Sequence, residues 1–148
     1  MYQSDYKMIT IKTNEITVEQ YLDIRSAVNW RQLTRKQAES ALGHSLIVVG
    51  AYEDGHLVGM GRIVGDGAVI CYVQDLIVRP EYQRKKVGSK VLSALVAYVE
   101  SIREEGSQMM LCLMCAKGRE PFYEKHGFIA RPTKELGPGM IQYLRDCK

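Results

Sequence analysis

"YVQDLIVRPEYQRKKVGSKVL", Tyr72–Leu92, changes its periodicity part-way along. Its first seven residues are rich in apolar and β-branched types and read as a strand. Pro80 closes that strand. From Val87 the apolar residues recur at helical spacing, through Val91, Leu92, Leu95, Tyr98 and Val99, and predict a helix to about Glu105, before Gly106. Between strand and helix lies "RPEYQRKKVGSK", with five cations in twelve residues. The first turn of a helix carries unpaired N–H groups and partial positive charge, so cations there are unfavourable by about 0.3–1 kcal/mol each. A bound phosphate reverses that sign, because amides and cations then share one negative charge. Gly88 lets backbone approach such a ligand closely. On charge alone, solvated surface cations explain the loop equally well.

Working outward, "SLIVVGAYEDGHLVGMGRIVGDGAVICYVQDLIVRP" is broken by Asp54-Gly55 and by Gly65-Asp66-Gly67. These turns predict three consecutive antiparallel strands, the last over about 68–78. Upstream, "KMITIKT" reads as a short strand. Thr17 with Gln20 and Thr34 with Gln37 form two capping boxes, which predict helices over about 17–28 and from 34 to near Gly43. Downstream, "QMMLCLMC" reads as a strand that a crossover helix makes parallel to the 68–78 strand. "REPFYEKHGF" reads as a short helix with Gly127 at its end. "FIARP" and "MIQYLRD" read as two closing strands around "LGPGM". The expected fold is α+β: one domain over 1–148, a mixed sheet flanked by helices, with one parallel crossover at its centre.

The bulk properties are those of an ordinary globular chain: 148 residues, 46% hydrophobic, 25% charged, net charge +3, pI near 8.6. That charge is too small to argue for nucleic acid, and no nucleic-acid motif accompanies the basic loop. No apolar run approaches the roughly 20 residues of a membrane span, and "MYQSDYKMIT" lacks an apolar signal core. No nucleic-acid or membrane partner and a cytoplasmic location are expected. Cys112 and Cys115 form a CxxC, but no second motif completes a metal site, so these two thiols are expected to be free and buried, Cys71 and Cys147 are expected to be free, and no metal is expected. A lone Trp such as Trp30 is more often core, and His44, His56 and His126 show no metal spacing, with His56 and His126 expected in solvent.

Parallel strands bind ligands at their carboxyl ends. The basic loop follows one such end and "PFYEKHGF" follows the other, so the two are expected to meet at one cleft. A phenol there, Tyr123, can donate a proton.

With these residues in view, the chain resembles the GNAT superfamily of N-acetyltransferases from about residue 7 to residue 145. The likeness is densest in Tyr72–Leu92 and in "PFYEKHGF". The family's phosphate loop reads Gln/Arg-x-x-Gly-x-Gly/Ala. Gln83 and Gly88 match it, while Lys86 stands where the pattern has its first glycine. Lys86 is less free to adopt positive φ, so either a differently shaped loop or an added phosphate contact is expected.

The resemblance implies acetyl-CoA as donor, bound where the two parallel strands splay apart. It implies pyrophosphate binding by the backbone around Arg84, Lys85, Lys86, Val87, Gly88 and Ser89. The backbone of Leu76, Ile77 and Val78 would pair with the pantetheine arm and thioester carbonyl, and could stabilise an oxyanion. Phe122 and Lys125 are implied as further donor contacts. Tyr123 matches the tyrosine that protonates the leaving thiolate. A phenol near pKa 10 facing a thiol near 8.5 makes that transfer uphill, so hydrogen bonding to the sulfur is its expected main role. The implied acceptor is a primary amine of a small molecule or peptide, attacking directly in a ternary complex, with Trp30, Arg31, Tyr72 and Gln74 lining its side.

Tyr72 and Gln74 are poor bases. Asp75 is the nearby carboxylate, and regular alternation turns it to the opposite face from Gln74 unless the strand is bulged. It reads either as a base or as a hydrogen-bonded structural carboxylate. In the family, apolar closing strands often pair across dimers, so a homodimer is compatible with the resemblance. The alternative reading is a non-catalytic module that senses coenzyme A or docks a partner.

Overall fold

The structure, a computed structural model, describes residues 7–146; Cys147 lies outside the described residues. The chain divides into two compact units, 1–113 and 114–148.

The first unit is built on a sheet of five strands in the order β1 (Ile9–Thr13), β2 (Ile47–Glu53), β3 (His56–Gly65), β4 (Ile70–Val78) and β5 (Met110–Leu113). The first four are antiparallel neighbours and β5 is parallel to β4. Two helices, α1 (Val18–Ala27) and α2 (Arg35–Gly43), precede β2, and α3 (Val87–Ile102) forms the crossover between β4 and β5. Both predicted capping boxes are present: Thr17 and Thr34 each accept from the backbone N–H of the glutamine three residues on, which returns a bond.

The central strands are covered on both faces, which is why β2 reads as a nearly unbroken buried run. On one face Tyr21, Ile24 and Ala38 pack with Val48, Tyr52, Leu57, Met60 and Ile77. On the other, α3 lies close to β3 because glycines face it. A Cβ at Gly59 would come within 2.7 Å of Val87 Cγ1, and one at Gly61 within 2.7 Å of Leu95 Cδ1. The helix buries Val87, Val91, Leu92, Leu95 and Val99 there.

Between Met60 and Arg62 the β3–β4 register shifts: Met60 pairs with Ile77 and Arg62 with Gln74, so Asp75 and Leu76 together oppose Gly61. This is a β-bulge, with Asp75 in the left-handed region at φ 52°. Aspartate tolerates that conformation better than most side chains.

Two sequence boundaries need correction. α3 stops at Ile102 rather than Glu105, because Arg103 turns extended and its guanidinium bonds the carbonyls of Glu104 and Ser107. β5 is shorter than "QMMLCLMC", so Cys115 lies beyond the strand, and of the described cysteines only Cys71 is fully buried.

The second unit holds one short helix, α4 (Glu120–Glu124), and no strand among its described residues. "FIARP" and "MIQYLRD" are therefore not strands. The chain from 131 to 137 bonds to itself instead: Thr133 N–H donates to the Leu136 carbonyl at 2.8 Å, and Arg131 Nε donates to the Gly137 carbonyl. Gly127 does end the α4 turn, at φ 87°, as Gly127 and Phe128 N–H donate to the Glu124 and Tyr123 carbonyls.

Candidate active site

The loop after β4 begins as a continuation of the sheet, with Arg79 N–H donating to the Val58 carbonyl at 2.9 Å. Arg79 is not one of the solvated cations. It is buried, with Nε on the Leu57 carbonyl and Nη2 on Asp23, both at 2.6 Å. A 3-10 turn over Pro80–Tyr82 follows. Gln83 folds back so that its Nε2 donates to the Val78 carbonyl at 3.1 Å, which fixes the loop to the end of β4. Arg84 and Lys86 both sit in the left-handed region, at φ 65° and 63°. Lys86 is the N-cap of α3 and no side chain caps the helix. Lysine thus adopts the backbone shape glycine would take, at about 1–2 kcal/mol of strain. Arg84, Lys85 and Lys86 are exposed around the helix N-terminus, and Lys85 lies 5.3 Å from the Tyr82 ring centroid.

The β4–β5 pairing runs only from Ile70–Met110 to Val73–Leu113. Past Val73, β4 keeps its pairing with β3 but has no parallel partner, because β5 ends at Leu113.

Asp75 is held by a cluster on the α1 side of the sheet. Its Oδ1 accepts from Arg25 Nη1 at 3.0 Å, its Oδ2 from Arg62 Nε at 2.7 Å, and Oδ2 also from the Tyr21 hydroxyl. Burial and the neighbouring carboxylate push the Tyr21 phenol up to about 12, so it stays protonated and donates. Burial pulls the Arg62 guanidinium down, and the bond to Asp75, the Asp75 charge and Tyr21 together more than offset this. Arg25 also donates through Nη2 to the Arg31 carbonyl at 3.0 Å and lies 5.4 Å from the Trp30 ring centroid. The bulge has changed the strand's parity: Gln74, paired with Arg62, and Asp75 now face the same side. Tyr72, two residues before Gln74, shares that face, and burial followed by Cys112 pushes its phenol up.

In the second unit, Phe122, Tyr123 and Lys125 come together on and just past α4. Phe122 and Tyr123 meet edge-on at 5.1 Å and Tyr123 meets Phe128 at 5.9 Å. His126 is half-buried against Phe122 at 5.0 Å rather than solvated. Burial pushes the Tyr123 phenol up, Cys115 adds to this and Arg119 opposes it. The group is a protonated donor at neutral pH.

A family model described as the acetyltransferase (GNAT) domain matches residues 44–130. The chain belongs to the GNAT acetyltransferase family. A GNAT family acetyltransferase of Streptococcus pneumoniae TIGR4 is similar at 34% identity and TM-score 0.79, covering 94% of this chain and 100% of that one. A protein of unknown function from meticillin-resistant Staphylococcus aureus is similar at 29% identity and TM-score 0.80, over 92% of this chain and 100% of that one. An uncharacterised ycf52-like N-acetyltransferase of Prochlorococcus marinus is 26% identical over 121 residues, 79% of this chain and 63% of the relative. The chain therefore spans under two thirds of that relative's length.

Within this GNAT chain, the structure joins Trp30, Arg31, Gln74 and Asp75 through Arg25 and Arg62. Sequence reasoning passed over Tyr21, Arg25 and Arg62. Arg62 did leave a signal, as the lone charge inside the apolar strand "HLVGMGRIVG". Tyr21 and Arg25, four residues apart on one helix, left only an unremarked aromatic–cation pair.

Proposed function

We propose that this chain is an acyl-CoA-dependent N-acetyltransferase, working as a single domain over 1–148 in the cytoplasm. It would move acetyl from acetyl-CoA to a primary amine of a small molecule or peptide, by direct attack in a ternary complex. One observation carries this reading: the edge of β4 beyond Val73, which lacks a parallel partner, leads through the 79–86 loop to a helix N-terminus that its N-cap side chain leaves uncapped, with Arg84, Lys85 and Lys86 exposed beside it. The donor set suits a pyrophosphate, since first-turn amides and cations converge on one anion. Family membership supports the same reading.

Acetyl-CoA supplies the acyl group and a thiolate leaving group. The chain's residues bind and orient. Backbone of Leu76, Ile77 and Val78 offers strand-type hydrogen bonds to an extended arm. Backbone of Val87, Gly88 and Ser89, with the three cations and Gln83 bracing the loop, holds phosphate. Phe122 and Lys125 are assigned to the donor as well. Tyr123, protonated and half-buried, donates a hydrogen bond to the leaving sulfur. Trp30, Arg31, Tyr72 and Gln74 line the acceptor side, and Asp75 acts as a positioning residue through Arg25. A homodimer is compatible with this scheme.

Isothermal titration with acetyl-CoA tests the reading, and no binding at millimolar ligand overturns it. Tyr123→Phe is expected to lower kcat about tenfold or more with donor Kd unchanged; an unchanged rate removes Tyr123 from the chemistry. A second reading, a coenzyme A-sensing module without turnover, is favoured by the engagement of both Asp75 oxygens, which leaves that carboxylate poorly suited to take a proton. Donor binding with no thiol release across a broad amine panel would establish it.

A further inference from the structure

The Asp75 cluster holds more positive than negative charge. One carboxylate faces two guanidiniums, at 3.0 and 2.7 Å. The third partner, the Tyr21 hydroxyl, donates to the same carboxylate and brings no charge. A third arginine, the exposed Arg31, is tied to the cluster through its carbonyl. Surplus charge that is largely withdrawn from water is costly unless something pairs with it.

The hydrogen-bonding capacity is also unfilled. Arg25 Nε is buried without a partner. Arg62 spends Nε on Asp75, and its Nη1 reaches only Ser45 Oγ at 3.3 Å. The side chains of Arg25 and Arg62 are largely buried, at 12% and 13% exposed. The cluster lies where Gln74 pairs with Arg62 and where the Trp30 ring, 39% exposed, lies over Arg25. Those are the residues assigned to the acceptor side. A guanidinium fork matches carboxylate or phosphate oxygens two at a time.

We propose that the acceptor amine also carries an anionic group, a carboxylate or a phosphate, received by Arg62 with help from Arg31. The inference rests on the acetyltransferase reading for calling this ligand an acceptor. The positive site itself stands on the geometry. Asp75 then serves a second purpose, because it holds Arg25 and Arg62 in place while leaving one unit of charge for the ligand.

The test is equilibrium titration of the full chain with matched amines: amino acids against their C-terminal amides, and phosphoethanolamine against ethanolamine. The first pairing isolates a carboxylate and the second a phosphate. In one of them the anionic member is expected to bind about tenfold tighter, ~1.4 kcal/mol, with a preference that fades as salt is raised. Arg62→Gln should erase the preference and Arg62→Lys should keep part of it. If Arg62→Gln does not fold, Arg31→Gln should weaken the preference instead. Equal affinities within every pair, tighter binding of the uncharged members, or a preference that survives loss of the arginine overturns the proposal. Thiol release from acetyl-CoA separates the two ideas. Acetylation without charge preference sinks this inference alone, whereas charge-selective binding without any acetylation sinks the acetyltransferase reading alone.

Discussion

The loop at residues 84–86 and the cluster around Asp75 both concentrate positive charge, by opposite means. The loop's three cations are exposed and adjacent in sequence, on a backbone strained at two positions. The cluster's two guanidiniums are mostly buried, drawn from different elements and clamped on one carboxylate. Water screens the first group, so its charges cost little while they wait for an anion. The second group has little water, so Asp75 must hold it together. A surface anion site can thus be assembled from a run of residues, whereas a buried one needs a counter-charge to exist at all.

The comparison can be broken most sharply at Asp75. Asp75→Asn leaves two guanidiniums without their counter-charge and is expected to destabilise the chain by about 3–5 kcal/mol, read from urea denaturation. A loss under about 1 kcal/mol would mean that solvent supports the cluster as it supports the loop. Tyr21→Phe removes one bond to the same carboxylate and should cost about 1.5–3 kcal/mol. It carries a pH signature as well. The Tyr21 phenol is raised from 10.0 to about 12, so its bond stabilises the fold fully below about pH 10 and is lost as pH climbs through about 12. Urea midpoints of the phenylalanine variant should therefore fall less steeply over that window. Lys86→Gly is the smallest change: relief of left-handed strain should stabilise the chain by about 1 kcal/mol, seen as a raised Tm. The same variant should bind acetyl-CoA more weakly if the ammonium touches phosphate, and an unchanged Kd would confine Lys86 to shaping the loop.

Local patterning carried most of the fold into view. Two capping boxes, the Asp54-Gly55 hairpin and the period change at Val87 each encode structure within a few residues. The closing strands failed because β-like composition at "MIQYLRD" cannot report whether a partner edge is there to pair with. At the candidate site, the basic loop was visible because its cations are contiguous. The Asp75 cluster was not, because Tyr21, Arg25, Arg62 and Asp75 converge from α1, β3 and β4 across as many as 54 residues. The parity of Asp75 could not be read either, since a bulge is set by how two strands pair and not by either one alone. Lys86 reversed its own expectation: the capacity for positive φ, assigned to glycine by steric preference, is imposed here on lysine by the turn into α3.

The bulge also bears on how this strand can change over time. Deleting a residue from the interior of a strand ordinarily inverts every side chain beyond it. Here Gln74 is in step with Arg62 and Ile77 with Met60, with two residues of β4 set against Gly61 between them. Loss of Asp75 by deletion would leave one residue against one, and the pairings on either side would keep their partners. Relatives could therefore shed this carboxylate, and the charge selectivity built on it, through a single-codon deletion that the sheet absorbs without moving the free edge of β4.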